Sequence, residues 1–273
     1  MSDFLEVMAT SSRLRAEALV SDERLLKEQA LSMSAPTAIA TEDAFAVIAE
    51  IKRRSPAEGE LAAVRATVSE RAGAYDSAGA SAVSVLTEPE RFDGSLEDLS
   101  QIAKVIAPTP AMRKDFLVDP LQLYEARANG ASGVLLIAAI LPDSKLQMMS
   151  LLARDLGLFV LLEAFDADDA ARMQALLADS VLESAASTGQ LLFGVNTRDL
   201  RSLEVDPKRL EKLAPHLPLD YVCIAESGIT SATDAAAAAA LGYRGALVGT
   251  ALMRAEDPAA LVRDMKAAAS QVV

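Results

Sequence analysis

Glu50 and Lys52 sit two residues apart where the apolar run of "VIAEIKRRSP" ends. If Val47–Ile51 is a strand, both side chains point the same way. Burying opposite charges is expensive unless they are paired or used. Held together, a carboxylate and an ammonium can remove a proton at one atom and deliver one at another. Within these ten residues a structural ion pair explains them equally well. Other apolar runs end similarly: "MRKDF" offers Lys114, "LLEAF" Glu163, "GVNTRDL" Asn196 and Arg198, and "AESGI" Glu226 and Ser227. The single histidine, His216 in "APHLPL", is read as a surface loop residue, so acid–base chemistry falls to lysines and carboxylates. The single cysteine, Cys223, lies inside an apolar run and reads as a small buried residue. It leaves neither an intramolecular disulfide nor a cysteine-clustered metal site.

A second kind of chemistry is written in "ESGI" and "LVGT", where Gly228 and Gly249 are followed by Ile229 and Thr250. Glycine lets the backbone approach an anion, and N–H groups at a helix start bind it. A small phosphorylated substrate is therefore expected.

These residues need a scaffold that brings strand ends together. Short apolar runs at Val47–Ile51, Ala82–Leu86, Ala111–Lys114, Gly133–Ile137, Phe159–Glu163, Leu192–Asn196, Tyr221–Ala225 and Ala246–Gly249 read as strands, each one βα repeat from the next. Most lack alternation, as parallel strands buried on both faces do. Asp119-Pro120, Asp206-Pro207 and Asp257-Pro258 each predict an N-cap before a first-turn proline, and Gly130, Gly157 and Gly242 mark helix ends. The alanine run in "DAAAAAALG" predicts a short helix. Eight strand–helix units without an internal linker predict a single closed (β/α)₈ barrel over residues 45–273, with its active site at the C-terminal strand ends. Residues 1–44 precede it. The spacing of Phe4, Val7, Met8, Leu14 and Leu19 predicts a helical extension packed on the barrel, covering its mouth.

Composition narrows the function. The chain has 273 residues, 51% of them hydrophobic, no tryptophan and a formal net charge of −13. Such acidity argues against nucleic-acid and anionic-membrane partners, which want clustered lysine and arginine. No segment reaches membrane-span length, and the first residues lack the pattern of a signal peptide, so a cytoplasmic location is expected.

In order along the chain, "VIAEIKRRSP", "SVLTEPERFDGSLEDL", "MRKDFLVDPLQLYEARANGASGVLLI", "GVNTRDLRSLEVD", "ESGI" and "LVGTALMRAEDP" closely resemble the indole-3-glycerol phosphate synthase family, from about residue 45 to residue 265. The resemblance implies a barrel with an N-terminal helical extension. It also implies ring closure of 1-(2-carboxyphenylamino)-1-deoxyribulose 5-phosphate with loss of carbon dioxide and water, without cofactor or metal. Lys114 matches the lysine of "RKDF", suited to protonating the developing oxyanion; Lys52 and Glu50 match a strand-one pair suited to dehydration. Which lysine serves which step is left to experiment. Glu163 matches the strand-five glutamate near the ring-closing centre. Asn196 and Arg198 match residues holding the hydroxyl and carboxylate side of the substrate. Ser55, Glu226 and Ser227 match polar contacts, Phe92 an aromatic after strand two, and Phe116 and Leu135 are candidates for the apolar wall of the aryl ring. Gly228, Gly249 and Thr250 fall at the phosphate. A monomer or weak homodimer is expected.

The chain departs from the family in three places. "LLEAFDADD" lacks a histidine common after the strand-five glutamate, Thr197 replaces an asparagine, and "LADSVLESAASTGQLLF" is longer than usual. A phosphoribosylanthranilate isomerase would want a cysteine at the end of strand one, where this chain has Lys52. A non-catalytic phosphosugar-binding barrel would keep the glycines and lose the lysines.

Overall fold

The computed structural model describes residues 4–40, 45–56, 59–60, 67–200 and 204–272. The barrel strands are β1 (Ala46–Ile51), β2 (Ala82–Leu86), β3 (Ala111–Lys114), β4 (Gly133–Ile137), β5 (Phe159–Ala164), β6 (Leu191–Asn196), β7 (Cys223–Glu226) and β8 (Gly245–Val248). All pair in parallel with their sequence neighbours, and β1 also pairs with β8, which closes the barrel. In register, Ile48 faces Ala82 on one side and Leu247 on the other. The strands fall where the sequence reading put them. The largest shift is in β7, which starts at Cys223 and not at Tyr221.

Strand parity sorts the side chains into two cores. Val47, Ala49, Ile51, Val83, Val85, Val134 and Leu136 face the helices. Ile48, Ala82, Met112, Leu135, Phe159, Leu161, Leu192, Ile224 and Leu247 fill the barrel. Successive residues of a strand alternate between faces, so the next inward position is two residues on. That position is Glu50 after Ile48, Lys114 after Met112, Glu163 after Leu161 and Glu226 after Ile224. Asn196 lies two such steps beyond Leu192. Gly194, the inward position between them, is glycine because a Cβ there would collide with the Glu226 carboxyl. An apolar barrel floor and a charged upper layer thus follow from one alternation.

The described helices are α1 (Phe4–Leu19), α2 (Glu23–Ser32), α3 (Val68–Ser77), α4 (Pro89–Phe92), α5 (Leu96–Val105), α6 (Leu121–Ala128), α7 (Asp143–Asp155), α8 (Ala167–Ala175), α9 (Ser180–Ser187), α10 (Arg209–Leu213), α11 (Ala232–Ala240), α12 (Thr250–Arg254) and α13 (Pro258–Ala269). Of the three Asp-Pro starts, only Asp257 caps a helix beginning at its proline, accepting the Ala260 N–H at 2.8 Å. Asp119 and Asp206 accept from Leu121 and Lys208, both at 3.0 Å, but those helices begin one and two residues past the proline. The side-chain bond forms in all three; the first turn closes as α-helix in one. Gly130, Gly157 and Gly242 take positive φ (86°, 76° and 93°) at helix ends, where a side chain would be strained. The alanine helix α11 opens on a capping box of Ser231 and Asp234. The long segment between β5 and β6 forms two consecutive helices, α8 and α9.

Ahead of the barrel, α1 buries Leu5, Met8, Ala9, Ser12 and Ala16. The expected stripe through Leu14 and Leu19 is not the buried one, and Leu14 is 63% exposed. The buried face is rich in small residues, which let the helix lie close. The boundary expected at residues 44 and 45 adjoins residues 41–44, which lie outside the described residues. No described helix is long and apolar enough to cross a membrane.

Candidate active site

A cavity of about 310 Å³ opens at the C-terminal ends of the strands. Glu50, Lys52, Ser55, Phe92, Lys114, Phe116, Leu135, Asn196, Arg198, Glu226, Ser227, Gly228, Gly249 and Thr250 line it. Glu163 does not. It is fully buried and reaches the cavity through Asn196, whose amide donates to its Oε2 at 3.1 Å. The Asn196 Oδ1 accepts the Arg198 N–H at 2.9 Å, so one side chain fixes both the buried carboxyl and the start of the following loop.

Glu50 bridges the two lysines. Its Oε1 is 3.1 Å from Lys52 Nζ and its Oε2 is 3.7 Å from Lys114 Nζ. Burial alone would raise the Glu50 pKa, but the charges of Lys52 and Lys114 outweigh it and hold the group below the usual carboxylate range. Burial likewise works against the Lys114 ammonium; Glu50, Glu163 and Glu226 overcome it and raise its pKa. Lys114 is therefore a firmly protonated donor facing a cavity. At Glu226 burial and the neighbouring Glu163 push the carboxyl well above its ordinary value, with Lys114 pulling the other way. Both Glu226 oxygens and Glu163 Oε1 lack a hydrogen-bond donor among the described residues. Two carboxyls so placed cannot both ionise cheaply, which favours the protonated form of Glu226.

At the other end of the cavity Ser227 and Gly228 both take positive φ, 62° and 72°. Gly249 caps α12 with no side chain across its first N–H groups. A Cβ on Gly249 would collide with the Glu50 carboxyl, so the residue is restricted by the charged cluster as well as by its turn. Successive left-handed residues and a helix start without a side-chain cap are backbone features that suit a phosphate.

The apolar wall is a triangle of rings. Phe92 and Phe116 lie 6.2 Å apart, and Phe4 of α1 backs both at 6.5 and 6.2 Å. Phe92 is placed by Glu88, whose carboxylate caps α4 by accepting the N–H groups of Glu90, Arg91 and Phe92. After Lys52 the chain is pinned by a bidentate pair between Arg53 and Asp98 of α5, at 2.9 and 2.7 Å.

The sequence reading missed Asp115 and Arg254, which also line the cavity. Arg254 ends the short helix α12, and its stretch, "LVGTALMRAEDP", was legible only as a whole. Among the described residues no group of His, Cys, Asp or Glu is arranged to hold a metal. Cys223 points outward from β7, its thiol pushed up to about 12 by burial.

A closed parallel barrel with a buried lysine–carboxylate cluster in its C-terminal mouth defines a (β/α)₈-barrel enzyme. A solved structure of thiamine phosphate pyrophosphorylase from Pyrococcus furiosus shares that fold, with a TM-score of 0.60 at 16% identity over 85% of this chain and 98% of that one. Residues 5–265 match the model of the indole-3-glycerol phosphate synthase family. The indole-3-glycerol phosphate synthase of Mycolicibacterium gilvum is 43% identical over 81% of this chain and 76% of its own. That of Mycolicibacterium vanbaalenii is 38% identical over 97% and 93%. The chain belongs to the indole-3-glycerol phosphate synthase family.

Proposed function

We propose that this protein converts 1-(2-carboxyphenylamino)-1-deoxyribulose 5-phosphate into indole-3-glycerol phosphate, a step of tryptophan biosynthesis, with the acid–base work divided between its two mouth lysines. The observation that carries this is Lys114, an ammonium held among Glu50, Glu163 and Glu226 with its nitrogen at the cavity. In ring closure the aryl carbon bearing the carboxylate attacks the ketone carbon, and negative charge grows on the ketone oxygen. Lys114 protonates that oxygen. Carbon dioxide then leaves and returns its electron pair to the ring. In the dehydration Lys52 gives a proton to the departing hydroxyl and Glu50 takes one from the ring being formed, so water is the second product. Glu163, fixed by Asn196, stabilises positive charge at the ring-closing centre.

The backbone N–H groups after Gly228 and Gly249, with Thr250, take the phosphate. Ser55, Arg198, Glu226 and Ser227 meet the carboxylate and hydroxyl groups, and Phe92, Phe116 and Leu135 hold the aryl ring. A cytoplasmic location and a monomer or weak homodimer belong to the same proposal. Incubation with the substrate, followed by indole fluorescence, tests it directly. Fluorescence growing in step with substrate consumption supports it, and substrate left unchanged rejects it.

A further inference from the structure

We propose that Asp115 is a positioning residue: clamped by Arg15 of the N-terminal helix, it sets the placement of Lys114 and Phe116 in the mouth. The proposal rests on the reading of Lys114 as the acid of ring closure. Asp115 sits between the two in sequence, and its carboxylate gathers bonds from three parts of the fold. Arg15 donates to both oxygens at 2.8 Å, from 100 residues away. Thr87, just past β2, donates at 2.9 Å and Arg113 of β3 at 3.2 Å. The Phe116 N–H closes on Oδ1 at 2.8 Å. The Asp115 side chain is wholly buried. Apolar residues of similar volume often replace a buried ion pair without loss of stability, so a pair built this fully points to a placement role.

The same helix grips the same loop at two more points. Phe4 packs on Phe116. Ser12 Oγ accepts from Gln122 Nε2 at 2.8 Å, while Gln122 Oε1 accepts the N–H groups of Val118 and Asp119. Phe4 and Arg15 are eleven residues apart, close to three full helical turns, and so share a face. Thus α1 holds residues 115–122 at three places, and Lys114 is the residue immediately before them.

The test compares Arg15→Ala and Arg15→Lys with the wild type in three measurements: steady-state kinetics, melting, and the rate at which acetic anhydride labels Lys114, followed by mass spectrometry. A misplacement of about 1 Å lowers rates by up to about 10²-fold. Arg15→Ala is therefore expected to lower kcat about 10- to 100-fold with KM within about threefold, and to change Lys114 labelling severalfold. Arg15→Lys should recover part of both. Should Arg15→Ala not fold, Arg15→Lys and Phe4→Leu carry the same comparison. A kcat within twofold of wild type overturns the proposal, as does a raised KM at unchanged kcat, or a fall in kcat with labelling unchanged. Labelling needs no turnover, so a wild-type chain that makes no indole would reject the functional reading while the clamp was still judged.

Discussion

The two lysines of the mouth meet the same carboxylate, yet the chain holds them differently. Each is followed by a charged residue locked to an opposite charge from a distant helix. After Lys114 the lock is Asp115 with Arg15, the carboxylate wholly buried and satisfied from five donors. After Lys52 it is Arg53 with Asp98, whose side chains are 43% and 12% exposed. A short two-stranded ribbon, Arg54–Ser55 with Gly59–Glu60, follows. A partly solvated pair holds its residues weakly, and a buried one with every lone pair satisfied holds them firmly. On the proposed mechanism, the firmly held lysine is the one that must meet an oxyanion as it forms. On the same mechanism, the less firmly held lysine serves the later dehydration.

The largest expected break in this comparison is Lys114→Met. Removal of an oxyanion donor lowers turnover about 10²–10³-fold, and loss of the proton with it lowers turnover further. Methionine keeps most of the stem's volume, so melting should shift little and affinity for a product analogue should fall only a few-fold. Titration calorimetry beside turnover separates these.

Lys52→Met should lower turnover about 10²-fold and also weaken affinity, because the family resemblance implies that this lysine lies near the substrate's anionic groups. Unchanged affinity would remove the distinction between the two lysines.

Third comes the lock itself. With Arg15 and Arg113 overcoming burial, Asp115 titrates at about 2 in the folded protein, against about 3.9 unfolded. The shift corresponds to about 2–3 kcal/mol, present above the unfolded value and lost as pH falls through the folded one. The melting deficit of Asp115→Asn should therefore be full above about pH 5 and shrink toward pH 2. A pH-independent deficit would show that the charge is not what stabilises.

The smallest effect should come from Glu226→Gln. A carboxyl whose pKa is raised well above its ordinary value favours the neutral form that an amide imitates, so turnover should stay within about tenfold of wild type. Glu163→Gln should lose more, and a reversed order would place the shared proton on Glu163.

Much of this was legible in the chain because burying charge is costly. Glu50, Lys114 and Glu226 end apolar runs, and strand parity fixes which face they share. That Glu163 lies behind Asn196 was not legible, since depth in a barrel depends on how neighbouring strands are staggered. The buried face of α1 was misread because Leu14 and Leu19 outweigh Ala9, Ser12 and Ala16 in any hydrophobic count, although the small residues are the ones that let the helix approach. Nothing local marks Arg15 as the partner of Asp115, because the pair exists only once α1 is laid across the end of β3. The Asp-Pro pairs showed where chains turn, but only Asp257 showed where a helix begins.

The division of labour between the two lysines can be measured most directly by trapping carbon dioxide in a single turnover, with substrate labelled at its carboxylate. Lys52→Met should release labelled carbon dioxide at close to the wild-type rate without forming indole, because ring closure and decarboxylation precede the step it serves. Lys114→Met should release almost none. Carbon dioxide released freely by Lys114→Met, or lost equally in both variants, would contradict the assignment.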